Sequence, residues 1–353
     1  MSIIIPHAEA RINFGVAGRM TFELSKAAQD GSVIPGTTVP VAGLCGNLIT
    51  NGGMDNIGIT AFSSANDSIN FAAVSTDATA PQFTDTTLVG EVARTTTTVG
   101  GNTLGVSYDI VKQLSVSPTY YTVWRKFRFA AGAAQGNLTK VAILNVDTTA
   151  YSIALIVDEF GVPTSLPVGA DDILDVKYEY KIFIPEVDVT GQITIKGTPI
   201  NWTLRPTATS SLNIGTTDMG WPAFGAGDTN QIVDTVALRG PRARLFFFGA
   251  NSGAASTAVA AGATLVAADQ KAITTQAPSA RSADVKIAPA YTPGSFSLSQ
   301  TAEWGIDRGN HAALNMLVMS PDFGSFQIAF ATPFEKLATE RMRFTLTTTW
   351  SRA

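Results

Sequence analysis

Apolar and polar residues alternate with period two along most of this chain. In the clearest run, Ile173–Ile184, Leu174, Val176, Tyr178, Tyr180, Ile182 and Ile184 share one face, with Asp175, Lys177, Glu179 and Lys181 on the other. Alternate side chains of a strand point to opposite faces, so this run predicts a half-buried strand. The pattern recurs in Ala10–Val16, Met20–Leu24, Val123–Phe129, Ile200–Leu204 and Met342–Trp350, the last with Arg343, Thr345, Thr347 and Thr349 opposite its apolar positions. Turn signals punctuate the runs at Asn51–Gly53, Gly100–Asn102, Gly161–Pro163, Gly197–Pro199, Pro293–Gly294 and Asp322–Gly324. Many short strands with regular punctuation predict an all-β protein built from antiparallel β-sandwich or jelly-roll domains. Two segments read as helical: Thr50–Ile57, capped by Thr50 or Asn51, and Asn310–Met319.

Residues 1–43 read as N-terminal strands with an arm, Ile3, Ile4 and Ile5 beside Pro6, so removal of residues 1–9 is expected to spare the fold and weaken assembly. A first β-sandwich domain is expected over 44–188. A second β domain follows over 189–353, with an Ala/Ser/Thr/Gly-rich excursion at 251–293. The N-terminus has no basic region and too short an apolar run for a signal peptide. Ala254–Ala268 falls short of a membrane span.

Composition supports strands and narrows the partners. Only 15% of the 353 residues are charged, and 43 are Thr, a β-branched residue that favours pleated surfaces. Hydrophobic residues at 45% and a net charge of −4 exclude disorder, which couples low hydrophobicity to high net charge. No basic field is available to capture nucleic acid or an anionic membrane, so neither is an expected partner. A single cysteine, Cys45, makes no intrachain disulfide and reads as a small buried residue.

The search for chemistry assigns no catalytic, cofactor-binding or metal-binding residue, and no enzyme activity or cofactor is expected. His7 and His311 have no second histidine or cysteine at ligand spacing. Gly225–Asn230 opens like a dinucleotide fingerprint without its third glycine or a βαβ setting. Asp171, Asp172 and Asp175 lack the rhythm of a calcium loop and read as a solvated turn leading into a strand. Asp218, Asp228 and Asp234 lie near Trp221 and Phe224. Aromatics beside carboxylates suit a sugar ring, and a loop packed on its own core explains them as well. Arg239, Arg242 and Arg244 flank the apolar run Leu245–Phe248, which fits either a contact surface between subunits or a strand buried on both faces.

Several blocks, in order, resemble a family of phage virion proteins described as tail-fibre, collar or minor tail structural proteins. They are Leu44–Asp55; Phe71–Pro81 with Thr84–Leu88 and Glu91–Thr95; Phe127–Lys140; Ala154–Asp158 with Gly161–Thr164; Leu174–Tyr180; and Phe326–Pro333 with Lys336 and Trp350–Arg352. Two departures stand out: Ser75–Asp77 replaces the family's glycines, and Lys140 stands where members commonly have Glu. The resemblance implies a non-enzymatic virion component of a tailed phage, made in the host cytoplasm, that assembles as a homo-oligomer with other neck or tail proteins. Ile3, Ile4, Ile5, Arg242, Arg244, Phe246, Phe248 and Trp350 are then the expected subunit contacts. The alternative is a receptor-binding tail protein that holds host-surface glycan through Trp221, Phe224 and Asp228.

Overall fold

The alternation translates into hydrogen-bonded ladders. A computed structural model describes residues 6–59, 69–100, 108–113, 117–118, 120–183, 188–206, 213–214, 217–218, 244–249, 271–272, 285–287, 291–306, 311–320 and 326–353. In chain order these form β1 (His7–Lys26), β2 (Val39–Gly46), β3 (Leu48–Ile49), the helix α1 (Asn51–Ile59), β4 (Phe71–Ser75), β5 (Glu91–Thr95), β6 (Tyr108–Gln113) and β7 (Tyr120–Phe129). Next come β8 (Gly136–Leu138), β9 (Lys140–Leu144), β10 (Ala150–Leu155), β11 (Leu166–Val168), β12 (Asp172–Phe183), β13 (Val189–Ile195), β14 (Thr198–Pro206), β15 (Asn213–Ile214) and β16 (Thr217–Asp218). The chain closes with β17 (Arg244–Gly249), β18 (Lys271–Ala272), β19 (Val285–Ile287), β20 (Ser297–Trp304), β21 (His311–Ser320), β22 (Phe326–Lys336) and β23 (Met342–Arg352). The protein is all-β, and its sheets are dominated by antiparallel pairs.

β1 uses its two edges differently along its 20 residues. Over His7–Val16 one edge pairs in parallel with β23, from His7 opposite Arg343 to Val16 opposite Arg352. Over Gly15–Lys26 the other edge pairs antiparallel with β12, while β2 takes over the first edge from Arg19 to Leu24. The result is an eight-stranded sheet ordered β19-β20-β23-β1-β12-β7-β6, with β2 added on β1. The β1/β23 ladder is the parallel one among the described pairs. A hairpin forces its strands antiparallel, but the first and last strands share no connection and are free to run the same way.

Ala8, Ala10, Ile12, Phe14, Val16, Met20 and Phe22 of β1 are all buried on one face. Two smaller sheets cover that face. The five-stranded β3-β10-β9-β4-β5 sheet lies over the β12 side, where the Tyr151 and Tyr180 rings meet edge to face at 5.8 Å. The six-stranded β13-β14-β22-β21-β17-β18 sheet lies over the β23 side, where Trp202 meets Phe344 at 6.1 Å. Both packings belong to one continuous apolar core, in the manner of a sandwich.

The helix expected at Thr50 is present. Thr50 caps it: its Oγ1 accepts from Gly53 N (2.9 Å) and donates to Ala150 O (2.5 Å). A Cβ on Gly53 would collide with Tyr151 O, so the glycine is what lets α1 lie against β10. The helix expected over Asn310–Met319 is instead strand β21, paired with β17 on one edge and β22 on the other. Its Ala, Leu and Met residues favour helix, and pairing on both edges overrides that weak preference.

The first residues of β1 also differ from an arm. Ala8 is buried, and Arg343 N donates to Pro6 O (2.9 Å). Residues 7–9 are rungs of the largest sheet, and trimming them removes native pairing; Ile3, Ile4 and Ile5 lie outside the described residues. The same sheet draws β1, β12 and β23 from the ranges 1–43, 44–188 and 189–353, so its hydrogen bonds cross both sequence boundaries.

Phe14 sits fully buried where β1, β12 and β23 meet. Phe14→Ala is expected to cost about 3–5 kcal/mol, measured as a lower urea midpoint at unchanged slope.

Candidate interaction surfaces

The outer face of the eight-stranded sheet carries the residues opposite the buried alternation. Across β7, β12 and β1 they form a ladder of charge. Arg128 donates to both carboxylate oxygens of Asp175 (2.7 and 2.7 Å), and Lys126 bridges Asp175 (3.3 Å) and Glu23 (2.5 Å). Glu179 accepts from Arg19 and from Lys177 (2.7 Å). Burial pushes the Glu179 carboxyl up, yet these two cations outweigh it and hold the group below its ordinary value. Lys177 and Lys181 also lie over the rings of Trp124 and Tyr120, at 4.7 and 4.3 Å.

Across β1, β23 and β20 the same face becomes a ladder of hydroxyls. Ser299 pairs with Thr347 and Thr301 with Thr345, both at 2.8 Å, and His7 Nε2 lies 2.9 Å from Thr345 Oγ1. Glu303 closes it, held ionised by Arg343 (2.7 Å) and Arg341 (3.1 Å). Asp175 is only 2% exposed although it belongs to the polar face of β12. The long cations beside it cover it, so this face satisfies its own charges.

The five-stranded sheet is covered on its far side as well, by the connection from β4 to β5. Leu88 of that connection joins Ala73, Ala142, Leu144, Ala150 and Ile153 in a second small core. Lys140, 4% exposed, forms an ion pair with Asp77, and Ser75 Oγ donates to Val89 O (2.5 Å). Lys140 and the Ser75–Asp77 stretch, more than sixty residues apart in the sequence, therefore meet in space. Lys140 and the Thr79 hydroxyl hold the Asp77 carboxyl down at about 2.

Trp350 is 2% exposed and lies inside the chain, not at its surface. Its Nε1 donates to Met54 O (2.8 Å), and its ring stacks on Tyr291 at 5.6 Å. Tyr291 and Gly294 in turn donate to Asp55 Oδ1 (2.7 and 2.6 Å). Arg352 continues the seam, donating to Ile49 O (2.6 Å) and Asn51 Oδ1 (2.7 Å) under the Phe83 ring. An indole with its donor satisfied by α1 belongs to the core, so the expected subunit contact at Trp350 becomes an internal lock between the last strand and the helix.

Of the other expected contacts, Arg244, Phe246 and Phe248 fall on β17, whereas Arg242 lies outside the described residues. Trp221, Phe224 and Asp228, the expected glycan contacts, also lie outside them. Asp172 forms the turn expected of it, pairing with Lys26 (2.6 Å) and accepting from Gly169 N (2.8 Å). Cys45 is buried, which raises its thiol pKa. Among the described residues no group of three or more His, Cys, Asp and Glu is placed to hold a metal ion, and no helix is long and apolar enough to cross a membrane. The turn at Gly161–Pro163 also carries two residues with no role among the sequence expectations, Phe160 and Val162, which are 81% and 55% exposed. Two apolar residues astride a turn glycine were the available signal.

Comparison with protein families, with curated proteins and with solved structures finds no match to this chain.

Because Asp77 is more acidic folded than unfolded, its pair with Lys140 stabilises fully above the ordinary value of 3.8, and that contribution is lost as pH falls through about 2. Urea midpoints measured across this window are expected to fall less steeply in Asp77→Asn than in the parent. Lys140→Glu is expected to lower the midpoint at neutral pH by setting two carboxylates together, with Asp77→Gly in the same chain recovering part of the loss.

Proposed function

We propose that this chain is a structural subunit of a tailed-phage virion, at the neck, collar or tail, that works by assembling with copies of itself and with other virion proteins. The ordered blocks from Leu44 to Arg352 support the class of protein. The observation that carries the reading furthest is the parallel clasp of the terminal strands.

In that clasp His7 lies beside Arg343 at one end and Val16 beside Arg352 at the other. Tension that draws the two chain ends apart pulls β1 and β23 in opposite directions along one ladder. All its hydrogen bonds are then sheared together rather than peeled one at a time. Ala353 N, donating to Val16 O (2.9 Å), and Arg352, tied to β3 and α1, extend the clasp past the last rung. A part that stays folded under strain suits a particle that must hold its shape outside the cell. The polar, self-paired outer face suits a subunit that folds as a soluble chain before it assembles.

Extension of single molecules through residues 1 and 353 is expected to need a higher unfolding force than extension through cysteines placed at His7 and Arg343, where rungs open in turn. Equal forces would remove the clasp as support. For the biological role, the chain is expected in purified particles, with copies arranged symmetrically at the neck or tail in an electron-microscopy reconstruction. Its absence from mature particles would overturn the reading.

A further inference from the structure

A strand at the edge of a sheet offers unpaired N–H and C=O groups to any other strand, and proteins blunt such edges with short length, charge, proline or bulges. Most outer strands of the three large sheets carry one of these guards. β3 and β18 have two residues each and β19 has three. β2 contains Pro40, β5 meets β4 through a bulge and bears Glu91 and Arg94, and β6 contains Asp109 and Lys112. β13 has seven residues, Val189–Ile195, with no charge, no proline and an unbroken register against β14.

Among the described residues no strand pairs with the far edge of β13. Ile193 and Ile195 are buried in the shared core, and the Trp202 ring occupies the space a Cβ on Gly191 would need. Thr190, Gln192 and Thr194 are exposed. The strand is therefore held by one edge and one face, and its other edge is open.

The hairpin turn decides which backbone groups face that edge. Lys196 and Gly197 both have positive φ, 51° and 80°, as in a two-residue turn that closes on a hydrogen-bonded pair, here Ile195 and Thr198. Hydrogen-bonded and non-hydrogen-bonded pairs alternate from there. Ile193 and Gly191 bond to β14, whereas the N–H and C=O of Thr194, Gln192 and Thr190 point away from it.

We infer that β13 pairs antiparallel with β13 of a second copy about a two-fold axis at Gln192, joining two six-stranded sheets into one. The inference rests on the homo-oligomer reading above and names its contact. The axis sets Gln192 opposite Gln192 and Thr190 opposite Thr194, so every outward N–H and C=O of the strand gains a partner. These residues are uncharged, and neither strand repels its copy. The antiparallel register also brings Lys196, which reaches Glu335 and Glu340 of its own chain (3.2 and 3.2 Å), opposite Asp188 of the second copy. A parallel register would set lysine beside lysine. Such a contact is isologous and closes at two copies.

Disulfide trapping and sedimentation velocity test it on the full chain. Gln192→Cys is expected to give a linked dimer under mild oxidation, since Cα atoms of a hydrogen-bonded pair lie about 5.5 Å apart. The native Cys45 is buried. Thr194→Cys is expected to stay unlinked, because residue 194 of one copy lies about 13 Å along the strand from residue 194 of the other. Gln192→Pro removes an N–H that β14 does not use, so the urea midpoint is expected to hold while association weakens about tenfold or more. A parent that stays monomeric overturns this inference and the homo-oligomer reading together. A parent that assembles, with Gln192→Pro assembling as tightly or Thr194→Cys linking as readily as Gln192→Cys, overturns the β13 contact alone. Should Gln192→Pro fail to fold, Gln192→Lys decides: two lysines on the axis are expected to weaken association at low salt, and association unchanged there overturns the contact.

Discussion

One strand has to keep register with three partners at once. β1 meets β23 in parallel, β12 in antiparallel and β2 beyond them, and through all of it the even-numbered residues must face the core. A slip of one residue against any partner would turn Phe14, Met20 and Phe22 outward and Arg11, Arg19 and Glu23 inward, which makes the register nearly all or none. The two smaller sheets depend on this choice, because each packs on a different half of the same apolar face. β1 is complete only when the last 12 residues have been added beside it. Native pairing of such long sequence separation carries a high entropic cost of closure and slows folding.

The same constraint explains what the sparse charges do. With one face of the large sheet committed to the core, where Arg125 of β7 is buried on Ile69 O, most of the charged residues of β1, β7, β12, β20 and β23 meet on the other face, where Asp175, Glu179 and Glu303 each have a cation in reach. Asp175, Glu179 and Glu303 are all nearly covered by the arginines and lysines that neutralise them. Such pairs contribute modestly to stability, but losing one partner would leave a desolvated charge, so they favour this register over its neighbours. A face that is already self-paired does not need a second subunit to cover it.

Much of the strand content was legible in advance because a period of two is a local property. Ala10–Val16, Ile173–Ile184 and Met342–Trp350 each announced a buried face, and the Thr50 cap announced a helix. Asn310–Met319 misled for the same local reason: its Ala, Leu and Met fit a helix until strands on both sides claimed its backbone. Trp350 misled differently, since an aromatic near a chain end reads as equally suited to a surface or a core until its neighbours are known.

The sequence by itself determined that this is an all-β chain, that a short helix starts at Thr50, and which residues alternate inward along its strands. Periodicity and turn chemistry act over a few residues and need no knowledge of the rest. Only the tertiary structure decided that the first and last strands run side by side in the same direction and that Lys140 pairs with Asp77. It alone decided that Trp350 of β23 packs inward and donates to α1. Each of these brings together residues tens to hundreds of positions apart. Such contacts are fixed by which apolar faces can be buried together, a global condition that no local pattern encodes.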